Sequence, residues 1–190
     1  MRLFAGIAIA GHVLENLARV LKQLRPLAPL HWSPIENLHI TSKFIGEWPE
    51  ARLDQLESAL DEVKTSNAFE LSISSFGYFP NPGNPRTLFA AVHSGPALAE
   101  LANRIDESLR PLGIAREDRV YSPHLTLAKI KHEDIRELRD HIANMTNFDF
   151  GTFRVNQFHL FLSKVGPKGS VYSSLATYPL TASSQAGRPQ

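Results

Sequence analysis

Two short stretches of the chain place a histidine and a threonine two positions apart. The first, "NLHITSKF", contains His39 and Thr41, and the second, "SPHLTLAK", contains His124 and Thr126. Random placement of 8 histidines and 8 threonines among 190 positions predicts roughly a third of one such pair. The two copies therefore indicate a repeated structure or a shared chemistry.

A β-strand explains the spacing of two, because side chains at positions i and i+2 leave the same face of a sheet. His39 and Thr41 then lie on one face, while Leu38 and Ile40 enter the layer beneath. The second copy repeats this pattern in a strand of its own. Two such strands, one from each part of the chain, would place two imidazoles and two hydroxyls in one cleft.

These groups suit acid and base chemistry on a phosphate. Imidazole titrates near pH 6.5, so one ring is able to accept a proton while the other donates one. Two threonine hydroxyls are able to hydrogen-bond the non-bridging oxygens of a phosphate between them. We expect such a site to hydrolyse a five-membered cyclic phosphate with water, and to need no metal ion or other cofactor. The residues alone do not distinguish the acid from the base.

The whole chain repeats itself at the spacing of the two motifs. His39 and His124 are 85 residues apart, and at that offset the tripeptide "LFA" and the tetrapeptide "LRPL" each recur without a gap. The comparison gives 12 identities over residues 3–45, where average composition predicts about three. The sequence therefore consists of two related halves.

Each half contains the same order of predicted elements. A short apolar strand comes first, and the helix that follows it ends at Pro26 or Pro111. The His-x-Thr strand and a second amphipathic helix come next. Further strand-like segments lie near residues 69–76, 150–162 and 171–178.

This order predicts an α+β protein of two pseudo-symmetric lobes. Each lobe would be an antiparallel sheet flanked by two helices, with a central cleft between the lobes. We expect residues 1–181 to form a single domain of two lobes related by the 85-residue offset. Residues 182–190, "ASSQAGRPQ", carry no periodicity and are predicted to be a disordered tail.

Four cations and one aromatic residue lie in or beside the motif segments. Lys43, Arg86, Arg119 and Lys129 are candidates for a phosphate grip, and Phe44 is a candidate for stacking on a base. The net charge of only +1 means that any grip on RNA should be local. The alternative interpretation is that the cations are solvated surface charges and that the phenylalanine belongs to the core.

The composition limits the class of protein. The absence of cysteine excludes disulfides and thiol catalysis and fits the cytoplasm. No apolar run reaches 18 residues, so we expect no membrane span. The apolar N-terminus is predicted to be a strand and not a signal peptide, because "LFA" recurs inside the chain. A hydrophobic fraction of 43% is enough for one compact domain, which we expect to be a monomer.

The flanking patterns "ENLHITSKFIG" and "YSPHLTLAKI" resemble the two signatures of the two-histidine (2H) phosphoesterase superfamily. Within it, the chain is similar to the bacterial RNA 2′,3′-cyclic phosphodiesterases, also known as 2′-5′ RNA ligase-like proteins. The segments "RLFAGIAI", "FGYFPNPGNPRTLFAAV" and "FHLFLSKVGPKGSVYSSLATYPL" extend the resemblance to nearly the whole chain. An arginine is usual in the family where Lys129 stands, and lysine offers a point charge in place of a planar fork.

The resemblance implies an RNA 2′,3′-cyclic 3′-phosphodiesterase, which hydrolyses the cyclic phosphate at an RNA 3′ end to a 2′-phosphate. It also implies that His39 protonates the departing 3′ oxygen and that His124 activates the water. Two other enzymatic interpretations stay open, namely a small cyclic nucleotide as the physiological substrate and the reverse ligation reaction. An RNA-end binding protein without turnover is the alternative from a different class.

Overall fold

Nine strands and four amphipathic helices make up most of the described part of the chain. The computed structural model describes residues 1–65, 67–145, 148–166 and 169–181, so the tail predicted at residues 182–190 lies outside it. The strands are β1 (Arg2–Ala8), β2 (His31–Trp32), β3 (His39–Glu47), β4 (Phe69–Phe79), β5 (Thr87–His93), β6 (His124–Lys129), β7 (Asp149–Val155), β8 (Gln157–Gly166) and β9 (Gly169–Pro179). The helices are α1 (Gly11–Leu24), α2 (Leu53–Asp61), α3 (Ala97–Leu109) and α4 (Arg136–Asn144).

The two longest of these helices, α1 and α3, form because apolar residues recur every three or four positions. In α1 the buried residues are Val13, Leu17, Leu21 and Leu24. Each helix ends two residues before a proline, Pro26 or Pro111, which cannot donate the next backbone hydrogen bond. Within the described ranges, no helix has the length and apolar character needed to cross a membrane.

The strands form two four-stranded antiparallel lobes that meet at the motif strands. Lobe 1 has the order β3-β1-β8-β9 and lobe 2 the order β6-β5-β4-β7, with the short β2 paired to β6. A single registered pair, Ile40 with Leu125, joins β3 to β6. Helices α2 and α3 lie against lobe 1, and α1 and α4 lie against lobe 2. The predicted α+β class, with two antiparallel lobes each flanked by two helices, is confirmed.

Each lobe takes strands from both halves of the sequence. β4 closes the first half of the chain but pairs with β5 and β7 in lobe 2. The segment predicted as one strand at residues 150–162 is two strands separated by Asn156, and these enter different lobes. β7 pairs with β4, whereas β8 pairs with β1. Apolar alternation identifies a strand but not its partner, and the sequence therefore does not reveal this exchange.

One apolar core lies between the sheet and the helices. The central residues of the two motifs, Ile40 and Leu125, are fully buried in it, as are Leu71 of β4 and Leu160 of β8. Because neighbouring side chains alternate along a strand, the residues on either side of these project from the opposite face of the sheet. We call this opposite face, which lines the central cleft, the motif face.

Candidate active site

Both His-x-Thr motifs lie on the motif face, on the line where the two lobes meet. Their central residues form the registered pair between β3 and β6. In an antiparallel pair this register places Thr41 across from His124 and His39 across from Thr126. All four side chains are half-buried. The two motifs therefore form one cluster to which each lobe contributes one histidine and one threonine.

The backbone orients both imidazoles in the same way. His39 Nδ1 lies 2.7 Å from the carbonyl oxygen of Asn37, and His124 Nδ1 lies 2.8 Å from that of Ser122. A carbonyl oxygen only accepts, so in each ring Nδ1 carries the proton and donates it two residues back. Each neutral ring therefore keeps Nε2 as an acceptor, and Thr41 Oγ1 lies 3.0 Å from this atom of His39.

Aromatic rings surround both imidazoles and restrict their movement. In lobe 1, Phe4 contacts His39 with 4.5 Å between ring centroids, and Tyr172 meets the same ring edge-on at 4.9 Å. In lobe 2, Phe89 stands 85 positions after Phe4 and lies 5.7 Å from His124. These contacts remove water from one side of each imidazole while the other side stays open to the cleft.

This environment favours the neutral form of both histidines. Burial lowers the pKa of His39 below its ordinary value, a hydrogen bond to Asn37 partly offsets this, and the positive form of His124 lowers it further. Burial is also the main cause that lowers the pKa of His124, with a smaller contribution from the Lys129 ammonium. In the free protein the pKa of both rings therefore lies below the ordinary imidazole value.

A β-bulge in each motif strand changes the alternation just after the threonine. Ser42 is the extra residue opposite β1, and Leu127 is the extra residue opposite β5. The next residue of each strand, Lys43 or its repeat equivalent Ala128, therefore turns into the core. The residues after these, Phe44 and Lys129, return to the motif face.

The location predicted for Lys43 is wrong. Its side chain is only 4% exposed and forms an ion pair with Asp106 of α3. Its Nζ also donates to the carbonyl oxygen of Ala115 at 2.7 Å, and Glu117 lies 3.9 Å away. The lysine therefore joins β3 to α3 and to the segment that follows this helix, and it is not available to a ligand in the cleft.

The structure brings some of the other candidates to the motifs and leaves some away from them. Phe44 is 65% exposed on the motif face, 6.3 Å from Phe4 between ring centroids. Lys129 lies on the same face and donates to Thr87 Oγ1 at 3.1 Å. Arg86 donates to the Lys131 carbonyl oxygen at the end of β6 remote from its histidine. Arg119 is exposed in the segment that leads into β6.

Two residues beside the motifs are missed by the sequence analysis. Tyr121 is half-buried just before β6, and its hydroxyl donates to the carbonyl oxygen of Thr41 at 2.9 Å, so it ties the two motif strands together. Tyr172 lies against His39, and its strand is held there because Asn37 donates to the Ser170 carbonyl oxygen. Both tyrosines stand in segments that carry the family resemblance, but the contact of Tyr121 spans 80 residues and leaves no local signal.

The cluster presents groups that bind and protonate oxygen. The two hydroxyls are able to donate hydrogen bonds to a phosphate, as is Nε2 of either imidazole when that ring is charged, and either imidazole is able to move a proton. In the part of the chain that the structure describes, no three His, Asp or Glu side chains are grouped so as to hold a metal ion. The arrangement thus fits a phosphate ester held by hydrogen bonds.

Comparisons with known proteins agree with this fold and site. Residues 13–166 match the 2′-5′ RNA ligase superfamily. A protein of Archaeoglobus fulgidus named RNA 2′,3′-cyclic phosphodiesterase is 35% identical over 94% of this chain and 99% of its own length. A protein of the same name from Methanocaldococcus jannaschii is 32% identical over 90% of this chain and 96% of its own.

A solved structure of another protein has the same fold. The crystal structure of a protein from Thermus thermophilus superposes with a TM-score of 0.82 at 28% identity, over 97% of this chain and all of that one. The resemblance drawn from the two His-x-Thr motifs is therefore confirmed. The chain belongs to the 2′-5′ RNA ligase superfamily, the group of two-histidine phosphoesterases.

Proposed function

We propose that this protein hydrolyses the 2′,3′-cyclic phosphate at RNA 3′ ends and leaves a 2′-phosphate. The observation that carries the proposal is the pairing of two His-x-Thr motifs across β3 and β6 on one open face. The relatives from Archaeoglobus fulgidus and Methanocaldococcus jannaschii, which match over nearly their full lengths, are named for this activity. The proposal therefore rests on geometry and on family membership together.

The reaction is an in-line displacement at phosphorus. His124 Nε2 takes a proton from a water molecule, whose oxygen forms the new bond to phosphorus. The bond from phosphorus to the 3′ oxygen breaks, and protonated His39 gives its Nε2 proton to that oxygen. The reaction leaves His39 neutral and His124 charged, and exchange with solvent restores the starting pair. The roles of acid and base follow the family resemblance.

The threonines and the nearby cation hold the phosphate during this step. The hydroxyls of Thr41 and Thr126, one from each lobe, donate to the two non-bridging oxygens as negative charge develops on them. Lys129, which already influences the pKa of His124, adds positive charge on the lobe 2 side. In lobe 1, exposed Phe44 and half-buried Tyr172 offer ring surfaces to the terminal base.

A product assay tests the proposal most directly. The wild-type protein, incubated with a short oligoribonucleotide that ends in a 2′,3′-cyclic phosphate, is expected to release a 2′-phosphate end, identified by ³¹P NMR. A 3′-phosphate product would contradict the assigned bond cleavage. Tight binding without turnover would favour a protein that only binds RNA ends, and turnover confined to mononucleotides would favour a small cyclic nucleotide as substrate.

Removal of metal ions is expected to leave the rate unchanged. Two histidines and two threonines supply the proton donor, the proton acceptor and the phosphate ligands, so no step of the proposed mechanism requires a cation. The measurement is the hydrolysis rate before and after dialysis against excess EDTA. A loss of activity on chelation that zinc or magnesium restores would contradict the two-histidine mechanism.

The pH profile is expected to be a bell whose position differs between the free and the bound protein. The profile of kcat/KM reports the free enzyme, in which one histidine must be charged and the other neutral. Because burial lowers the pKa of both His39 and His124, its maximum should fall below about pH 6.5. Bound anionic phosphate favours both charged forms, so the maximum of kcat should lie at higher pH.

The limbs of this bell belong to the pair of histidines and not to either ring alone, because both share one phosphate. The two profiles are obtained from full Michaelis curves measured from about pH 4.5 to about pH 9, a range that spans the ordinary imidazole pKa. A kcat/KM maximum above about pH 7, or a kcat maximum on the acid side of it, would contradict the assigned environment of the rings.

A further inference from the structure

We propose that lobe 1 contains a second nucleotide subsite, formed by His159, Ser174, Thr177 and Gln157, which binds the nucleotide preceding the RNA 3′ end. The inference rests on the proposed function, and it makes an oligonucleotide a better substrate than a cyclic mononucleotide. None of these four residues belongs to the His-x-Thr motifs. They lie on β8 and β9, next to the part of the motif face that holds His39.

The position of His159 follows from strand alternation. Its neighbours in β8, Phe158 and Leu160, are fully buried in the core, so His159 and Phe161 project from the motif face. The ring of His159 lies 5.4 Å from that of Phe161, which in turn lies 5.9 Å from the ring of His39. One phenylalanine ring therefore separates this histidine from the candidate acid.

Three polar side chains surround the ring of His159. Its Nδ1 lies 3.0 Å from Ser174 Oγ and 3.2 Å from Thr177 Oγ1. Its Nε2 lies 3.2 Å from Gln157 Nε2. Gln157, Ser174 and Thr177 are exposed, and the imidazole is half-buried. The cluster is therefore open to the cleft and offers an imidazole, two hydroxyls and an amide.

The chemistry of this cluster indicates which part of a nucleotide it binds. Its four side chains carry both donors and acceptors and no permanent charge. Burial lowers the pKa of His159, which keeps the ring neutral at pH 7. A neutral set of this kind matches a ribose hydroxyl or a base edge better than it matches a phosphate, for which charged donors are stronger.

The proposed mechanism places an RNA chain on this side of the cleft. In an in-line reaction the attacking water and the departing 3′ oxygen lie on opposite sides of phosphorus. With His124 at the water and His39 at the 3′ oxygen, the terminal nucleoside lies over lobe 1, beside Tyr172. The chain that continues from its 5′ side then passes Phe161 toward His159.

Lobe 2 does not repeat the cluster. His159 is paired with Gly6 of β1, and the repeat equivalent of Gly6 is Ala91 of β5, which is paired with Ser74. A serine therefore stands where lobe 1 has the imidazole. This difference would allow the protein to bind an RNA end in one direction only.

The test compares a dinucleotide with a mononucleotide, both ending in a 2′,3′-cyclic phosphate. His159→Ala is expected to lower kcat/KM for the dinucleotide about tenfold, which corresponds to the loss of about 1.4 kcal/mol of binding free energy. The same variant is expected to leave kcat/KM for the mononucleotide unchanged. His141→Ala, on the exposed surface of α4, is the matched control and should change neither rate. His159→Gln, which keeps polar hydrogen-bonding groups, should restore part of the dinucleotide rate.

Each other outcome has a defined meaning. If His159→Ala lowered kcat/KM equally for both substrates, or for neither, the second subsite would be overturned while the proposed function stayed intact. A length preference of the wild-type protein that disappears in about 1 M salt would also overturn it, because neutral contacts are not screened. Failure of the wild-type protein to hydrolyse either substrate would instead refute the proposed function. Replacement of the 2′-hydroxyl of the first nucleotide by hydrogen separates ribose contacts from base contacts.

Discussion

Replacement of either His39 or His124 by alanine is expected to lower kcat at least about 100-fold, because a positioned acid or base typically contributes roughly 10² to 10⁴ to a rate. Thr41→Ala and Thr126→Ala should cost less, since each removes one hydrogen bond to the phosphate and leaves both proton transfers in place. Single-turnover rates on a cyclic mononucleotide measure these effects without product release. His12→Ala, whose ring contacts the Thr152 carbonyl oxygen on the helix side of lobe 2, is the control.

A second substrate separates the acid from the base. A cyclic phosphate whose departing oxygen is less basic needs less help from an acid, so it should partly rescue His39→Ala and not His124→Ala. Selective rescue of His124→Ala would reverse the roles taken from the family. If His12→Ala lowered kcat as much as His39→Ala or His124→Ala, the pairing of the two motifs would be contradicted.

Lys43→Met is expected to lower the free energy of unfolding by about 3 kcal/mol, because removal of one partner of a buried ion pair leaves the other charge unpaired. Asp106, the partner of this lysine, is only 10% exposed. Arg116 lies 3.8 Å from the same carboxylate and compensates in part, which is why we expect the lower end of the usual range. Urea unfolding measures the change in the free energy of unfolding, and Lys22→Met, at an exposed position of α1, provides the control.

The double variant Lys43→Met and Asp106→Leu distinguishes a structural ion pair from a phosphate grip. Removal of both charges leaves no buried charge unpaired, because the neighbouring Arg116 and Glu117 are exposed, so most of the lost stability should return. The repeat equivalent of Lys43 in lobe 2 is the fully buried Ala128, so the corresponding position there is occupied by an apolar residue. Normal stability of Lys43→Met together with a raised KM for RNA would contradict the buried location.

The His-x-Thr cluster could be predicted from the sequence because it depends on two local properties. Alternation along a strand places His39 and Thr41 on one face, and the repeat supplies an equivalent strand for His124. Lys43 was a candidate because it lies in the motif segment, and simple alternation would place it on the same face as Thr41, two positions earlier, yet its side chain enters the core. The bulge at Ser42 turns the Lys43 side chain to the opposite face of the sheet, and nothing in the local sequence marks this bulge.

Contacts between distant parts of the chain could not be predicted in this way. Tyr121 reaches Thr41, and Tyr172 reaches His39, through the packing of strands that are far apart in sequence. The strands that pair with β4 and β8 could likewise not be predicted, because the apolar pattern of a strand fits either lobe. The repeat identified related halves, but the lobes are assembled from parts of both.

The exchange of strands between the lobes has a consequence for how the protein is made. During synthesis β1 and β3 leave the ribosome first, yet lobe 1 stays a two-stranded ribbon until residues 157–179 supply β8 and β9, and such a ribbon is marginal in water. Lobe 2 starts later but has all four of its strands once residue 155 has emerged. The nascent chain should thus complete lobe 2 before lobe 1, and a product stalled before residue 157 would expose the edge of β1 to aggregation.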